Sequence, residues 1–251
     1  MEINYILGQA MWISQRGYIE KILSRFNMDK CRAVATPQTY LVQCSRLELA
    51  NAVRTLGKYL NKYTHENYSM TKRVLRYLRG TSDYGLVWEK KETPDLHFVA
   101  YADADLGNEK DDHHPITGYV LQLNGYDTCC AEFVAASECS TMIVWTHNLC
   151  KELKIKRHKP IVLYQDNQAT ITVLTEIKGN YKTKSVDLKY HKVRDFHERG
   201  EFEVRYCLSA ENLADIFTKA LGPTLFRKLR ERLNVVPLSL AIADGNAGGR
   251  D

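Results

Sequence analysis

No run of the 251-residue sequence is apolar over the roughly 20 positions that a membrane-spanning helix needs, so no membrane partner is expected. Met1-Glu2-Ile3-Asn4-Tyr5 lacks the basic stretch and long apolar segment that open a signal peptide. The cysteines, Cys31, Cys44, Cys129, Cys130, Cys139, Cys150 and Cys207, are odd in number, and none stands in a C-x-x-C pair. That argues against a disulfide framework and against a zinc knuckle, and a reducing intracellular compartment follows as the simple expectation. Charge of either sign is not in great excess. The net charge of +5 fits a nucleic-acid partner without requiring one. What is present is an ordinary apolar fraction, enough for a real core, in a chain long enough for one large domain or two small ones.

The pattern along the chain is helical first and mixed afterwards. Ile19, Ile22, Leu23 and Phe26 mark one apolar face of a helix over 14–26. Further helices are expected over 47–63 and 66–79, the latter stopped by Gly80-Thr81 and carrying Arg73 and Arg76 on a basic face. From Leu96 the pattern turns to strands at 96–102 and 116–123, with a polar turn between them that holds Asp111-Asp112-His113-His114. A long helix over 131–153 follows, with Trp145, Leu149 and Leu153 stacked along it. Ile161-Val162-Leu163-Tyr164, apolar throughout, reads as a central strand. A helix over 167–174, a basic helix over 186–200 with Lys189, Lys192 and Arg194, and an outer strand over 202–206 come next. Ser209 reads as the cap of a helix carrying Asp215, and Gly222-Pro223 introduces a last helix and a polar tail.

Four acidic residues stand out in this pattern: Asp103, Glu132, Asp166 and Asp215. Two follow apolar strand-like runs and two lie within apolar helix-like runs. A carboxylate so placed is costly unless it is paired or binds a cation. Four converging carboxylates make a pocket suited to two hard divalent cations. Asp105 reads as a turn residue.

In order and context these four resemble the acidic set of ribonuclease H. The closer resemblance is to the reverse transcriptase–ribonuclease H region of Ty1/copia-type retrotransposon polyproteins. Tyr101-Ala102-Asp103-Ala104-Asp105 is similar to that family's Y-S-D-A-D, Ala131-Glu132-Phe133 to its A-E-Y, Asp166-Asn167-Gln168-Ala169 to its D-N-Q-S, and Leu213 to Lys219 to its L-A-D-I-F-T-K. Upstream, Gln15 to Pro37 and Arg73 to Thr81 are similar to the segment after the polymerase palm and to the connection before the nuclease. The resemblance implies an α/β fold with a ribonuclease H-like mixed sheet and flanking helices over 93–221. It implies a small helical thumb/connection remnant over 1–92, and 222–251 is expected to be a C-terminal helix and tail. It further implies two-metal hydrolysis, with Mg²⁺ or Mn²⁺ held by Asp103, Glu132, Asp166 and Asp215 as catalytic carboxylates. The substrate would be the RNA strand of an RNA/DNA hybrid, read by phosphates and 2′-hydroxyls rather than by sequence. Lys189, Lys192, Arg194, Arg73 and Arg76 are then candidate phosphate contacts. The polymerase part of the same polyprotein is the ancestral partner, in the cytoplasm, a virus-like particle or the nucleus.

The sequence departs from that family in several places. No aromatic residue precedes paired aspartates, so no polymerase active site is expected in this chain. The stretch between Pro37 and Arg46 is short, and the family's T-R-P-D stands as Ser45-Arg46-Leu47-Glu48. The family's third strand, between Gly118-Tyr119 and Ala131-Glu132, reads as shortened or missing. Strand parity would then leave residues 124–130 to climb the sheet in one pass. The alternative reading is a catalytically inactive remnant that binds nucleic acid. An integrase- or transposase-type nuclease fits less well, because a fourth carboxylate is present and zinc spacing is not.

Overall fold

A computed structural model describes residues 1–32, 45–59, 62–89, 96–105, 116–131, 135–156, 160–175 and 192–239. The chain divides into two units, one formed by Met1–Lys91 with Ala220–Asp251 and the other by Glu92–Lys219. No helix among the described residues is long and apolar enough to cross a membrane.

The first unit carries a sheet beside the helices expected of it. Glu2–Ile6 (β1) and Ala10–Ser14 (β2) form an antiparallel hairpin. Its turn uses Gly8 at φ +75°, where a residue with a Cβ costs roughly 1 kcal/mol or more. Tyr84–Glu89 (β3) pairs with β2, and Val235–Pro237 (β9) pairs with β3, completing a four-stranded sheet in the order β1-β2-β3-β9. The edge strand β1 carries no amphipathic signal because it is exposed on both faces, and pairing with β2 holds it in place. The sheet's buried hydrophobic side chains, Leu86, Val87 and Val235, lie on β3 and β9.

Helices α1 (Arg16–Arg25), α2 (Ala50–Lys58) and α3 (His65–Gly80) run close to the expected spans, with α2 entered through a 3-10 turn at Leu47–Leu49. The last helix, α8 (Pro223–Arg232), belongs to this unit too, and its Phe226 ring meets Tyr77 edge to face at 5.8 Å. Behind this packing lies a fully buried arginine. Arg46 donates from Nε to Glu48 Oε1 at 2.7 Å, from Nη1 to the Thr81 carbonyl at 3.0 Å and from Nη2 to Thr81 Oγ1 at 2.6 Å. The Tyr77 hydroxyl donates to the same Glu48 oxygen at 3.2 Å. The segment Ser45-Arg46-Leu47-Glu48 therefore ties the start of α2 to the end of α3.

The second unit is a five-stranded mixed sheet in the order β6-β5-β4-β7-β8. Its strands are β4 (Phe98–Asp105), β5 (Ile116–Leu123), β6 (Tyr126–Ala131), β7 (Ile161–Gln165) and β8 (Phe202–Tyr206). The first three form an antiparallel meander, and β7 and β8 join parallel to β4 and to each other. On one face, Phe98, Ala100, Ala102, Tyr119, Leu121, Ile161, Leu163 and Phe202 make a single core with Cys139, Ile143 and Cys150 of α4 (Ala135–Glu152) and with Leu174 of α5 (Gln168–Thr175). Val193 joins them from α6, described over 192–198. The third strand, expected to be shortened or missing, is present and short: β6 has six residues against eight in β4 and β5, stands at the sheet edge, and is reached through a two-residue turn at Asn124-Gly125 whose φ angles of 53° and 83° suit a tight hairpin. Two expectations are corrected here. Asp105 is not a turn residue but the end of β4, paired with Ile116. Trp145, Leu149 and Leu153 are 58, 36 and 59% exposed, because α4 turns its smaller sulfur and aliphatic side chains to the sheet instead.

Arg46→Met strands the Glu48 carboxylate in the first unit's core, so it should cost about 3–5 kcal/mol in urea unfolding. Adding Glu48→Met should restore most of that loss, and a double variant as unstable as the single would contradict the account.

Candidate metal centre

Parallel pairing of β4 and β7 sets the level of the site. Tyr101 lies opposite Tyr164, their rings stacked at 5.2 Å. Two residues further along each strand stand Asp103 and Asp166, which parallel registry brings to the same height at the carboxyl ends of the strands. Asp166 directly follows β7, and the next residue, Asn167, accepts from the Thr170 amide at 3.2 Å and so starts α5. Asp103 points to the face opposite the main core, by the alternation of a strand.

The third carboxylate arrives on a separate turn. The helix expected from Ser209 through Asp215 is instead broken into a 3-10 turn, Ser209–Glu211, and a single helical turn, α7 (Asp215–Thr218). Asn212 breaks it. Extended at φ −73°, ψ 109° and fully buried, it donates to the Ala102 carbonyl at 3.0 Å and to Asp166 Oδ1 at 3.3 Å, and accepts from the Ala214 amide at 3.1 Å. One side chain thus ties β4, Asp166 and the start of α7 together. Its only trace in the sequence is a lone amide ahead of the run Leu213-Ala214.

Close approach of α7 to the sheet depends on Gly118. This residue pairs with Asp103 across the β4–β5 ladder. A Cβ there would lie 2.8 Å from Phe217 Cβ, 3.2 Å from Thr218 Cγ2 and 3.3 Å from the Ala214 carbonyl. With only hydrogen at that point, α7 lies across the strands and delivers Asp215.

The carboxylates of Asp103, Asp166 and Asp215 converge so that one oxygen from each lies within 4.8 Å of the others. Their side chains are 5, 8 and 4% exposed. Lys219 sits among them, Nζ lying 3.3 Å from Asp103 Oδ1, 3.5 Å from Asp166 Oδ2 and 2.8 Å from Asp215 Oδ1. The Thr218 hydroxyl donates to the other oxygen of Asp103 in a short hydrogen bond. Thr218 and Lys219 carried no expected role, although both fall within the string that resembles L-A-D-I-F-T-K.

One ammonium cannot balance three carboxylates, and the protonation equilibria reflect this. Burial raises the Asp103 carboxyl above its usual range, against the pull of Thr218 and Lys219. Burial pushes Asp215 up to about 7, opposed by its hydrogen bond from Lys219 and reinforced by the charges of Asp103 and Asp166. Burial alone would lower Lys219, but its bond to Asp215 and the three surrounding carboxylates hold it above the ordinary lysine range.

These oxygens suit a hard divalent cation, which takes carboxylate ligands, and a cation-shaped place already exists among them, filled by the ammonium. The acidic triad could therefore bind metal. Glu132, the fourth expected ligand, lies outside the described residues, as do Lys189 and Asp111 to His114. β6 ends at Ala131, paired with Tyr119 next to Gly118. Lys192 and Arg194 lie on α6, with Lys192 Nζ donating to Thr141 at 3.0 Å. Arg73 and Arg76 lie on α3 of the other unit.

The second unit is a mixed sheet with carboxylates gathered at one end, and no protein-family model matches the chain. Its curated relatives are retrovirus-related Pol polyproteins from plant transposons. The chain is 28% identical to the one from transposon RE2 of Arabidopsis thaliana over 283 residues, covering 94% of this chain and 19% of that protein. It is 27% identical to the one from transposon TNT 1-94 of Nicotiana tabacum, covering 89% and 20%, and 27% identical to that of transposon RE1 of Arabidopsis thaliana, covering 93% and 19%. The chain thus spans about a fifth of the length of the curated relatives it matches. The aligned length of 283 exceeds the chain's own 251 residues, so the relative carries residues inside this region that the chain lacks.

Two outcomes are expected. A carboxyl whose folded pKa is raised binds its proton more tightly folded than unfolded. Its contribution to stability is therefore complete below about pH 4 and is lost as pH rises through about 7. In chelator, urea unfolding of Asp215→Asn should show a flatter pH dependence than the parent between those limits, and an unchanged slope would count against the raised value. Gly118→Ala should cost about 1–3 kcal/mol by overpacking, seen as a lowered thermal midpoint, and should weaken Mn²⁺ binding by displacing Asp215.

Proposed function

We propose that the second unit is a metal-dependent nuclease of the ribonuclease H type that hydrolyses the RNA strand of an RNA/DNA hybrid. The observation that carries this is the convergence of Asp103, Asp166 and Asp215 at the carboxyl ends of adjacent parallel strands. Similarity to Pol polyproteins supports the same reading, because a retroelement segment with such a site has a natural substrate in the hybrid that reverse transcription generates.

In this reading Asp103 and Asp166 would hold the metal from strand ends, which are rigid supports. Asp215 closes the site from α7, and Glu132 supplies a further carboxylate. Bound divalent ions supply a lowered pKa for the attacking water and charge neutralisation at the departing oxygen. The protein's own contribution is orientation. Asn212 fixes Asp166 through Oδ1 and Thr218 fixes Asp103 through Oδ2, leaving the opposite oxygen of each turned to the centre. Misplacement of such groups by about 1 Å costs on the order of 100-fold in rate. Lys192 and Arg194, with Lys189, would meet the phosphates, while the polymerase part of a polyprotein would be the ancestral partner.

An inactive remnant that binds nucleic acid is the second reading, favoured by the chain's internal shortening relative to its relatives. Cleavage of a labelled RNA/DNA hybrid in Mg²⁺ or Mn²⁺, with duplex DNA as control, separates the two. Cleavage of the RNA strand that falls by at least about 100-fold in Asp166→Asn is the expected result. Hybrid binding without cleavage by the folded chain in either metal would leave the remnant reading standing.

A further inference from the structure

We propose that Lys219 is a resident cation of the carboxylate cluster, holding the site assembled without metal and swinging out when a divalent ion enters. This rests on the metal-centre reading above and adds a positioning residue to it.

The geometry is that of a replaceable ion. An ammonium has three donors, and Nζ here reaches exactly one oxygen from each of the three aspartates, at 2.8, 3.3 and 3.5 Å. Those are the inner oxygens. The outer oxygens of Asp103 and Asp166 are held by neutral donors, Thr218 and Asn212, so part of the cradle is independent of the lysine. A magnesium ion bonded to the inner oxygens at about 2.0–2.1 Å would stand within a few ångströms of Nζ, and two cations do not share that space.

The lysine also has an exit. Its side chain is 29% exposed, against 4–8% for the carboxylates, so it enters the cluster from the solvent side. Its backbone is anchored, the Lys219 amide donating to the Asp215 carbonyl at 2.9 Å. It lies just past the end of α7 in an extended conformation. Rotation about side-chain bonds alone is enough to vacate the site, and α7 need not move.

Exchange of this kind makes metal binding weaker than the bare carboxylates would give, because each ion must displace a charge already paired. In return, the buried acids are never left without a counter-charge.

The test uses the full chain, Mn²⁺ as probe and Lys219→Gln, which keeps hydrogen-bonding capacity without charge. In chelator the variant should melt below the parent. Mn²⁺ should raise its midpoint more than the parent's, and Mn²⁺ titrated by electron paramagnetic resonance should bind it about tenfold tighter or more, as removal of a like charge near 3 Å predicts. In the unmodified protein, reductive methylation followed by mass spectrometry should find Lys219 protected in chelator and reactive in Mn²⁺. This second measurement does not depend on the variant folding. Equal or weaker Mn²⁺ binding by folded Lys219→Gln, or methylation indifferent to Mn²⁺, overturns the proposal while leaving the metal centre intact. Absence of Mn²⁺ binding by both proteins overturns the metal centre and the proposal together.

Discussion

Three nearly desolvated carboxylates within 4.8 Å of one another are the constraint on which the site depends. Two like charges about 4 Å apart repel by about 4 kcal/mol at an effective dielectric near 20, and here every pair of the three is affected. The arrangement is tolerable only with a cation at its centre or a proton retained on one member. Both devices are present: Lys219 touches all three acids, and Asp215 titrates near 7. Nothing in the packing of the sheet calls for such a cluster, whose members lie on the face of β4 opposite the apolar core.

Holding the acids so close takes three independent pieces of backbone. Parallel registry of β4 and β7 brings Asp103 and Asp166 level, and antiparallel registry of β4 and β5 sets Gly118 beside Asp103. The missing side chain at Gly118 lets α7 approach, and Asn212 aims it by taking the carbonyl of Ala102 and the amide of Ala214. Each piece comes from a different part of the chain. The site is therefore a product of the whole unit's topology, in which a one-residue slip in either ladder would turn its aspartate or its glycine to the opposite face.

The candidate residues were legible because a carboxylate after an apolar strand is conspicuous, and strings such as Asp166-Asn167-Gln168 and Ala214-Asp215-Ile216 sit in distinctive surroundings. Strands and helices of the second unit were legible from periodicity for the same reason, since most bury one face. What escaped depends on contacts between distant segments. Gly118 is a plain strand glycine until α7 lies against it. Asn212 reads as part of a helix until Ala102 is found beside it. Lys219 reads as a solvated charge at a helix end until three acids close around it. The Asn124-Gly125 turn is a different case: its hairpin signal is local and strong, but the strand that follows it is short. The β1–β2 hairpin is hard to read from sequence because the exposed β1 marks no buried face.

The two units treat buried charge differently, and the difference bears on function. Arg46 donates to Glu48 Oε1 and to Thr81, Tyr77 donates to the same Glu48 oxygen, and the result fastens helices together. That is charge used as structure. Among the described residues of the second unit three acids face one cation, burial pushes Asp215 up to about 7, and the lysine among them opens to solvent. Fastening α7 does not require this, because Gly118, Phe217 and Asn212 already dock it through close packing and neutral hydrogen bonds. A structural role would be better served by apolar side chains of similar volume, which commonly match or exceed the stability of buried ions. An under-neutralised acidic cluster at the open end of a rigid sheet is what remains when stability is conceded to the binding of a cation, and that is the physical ground for reading the site as a metal centre rather than as part of the core.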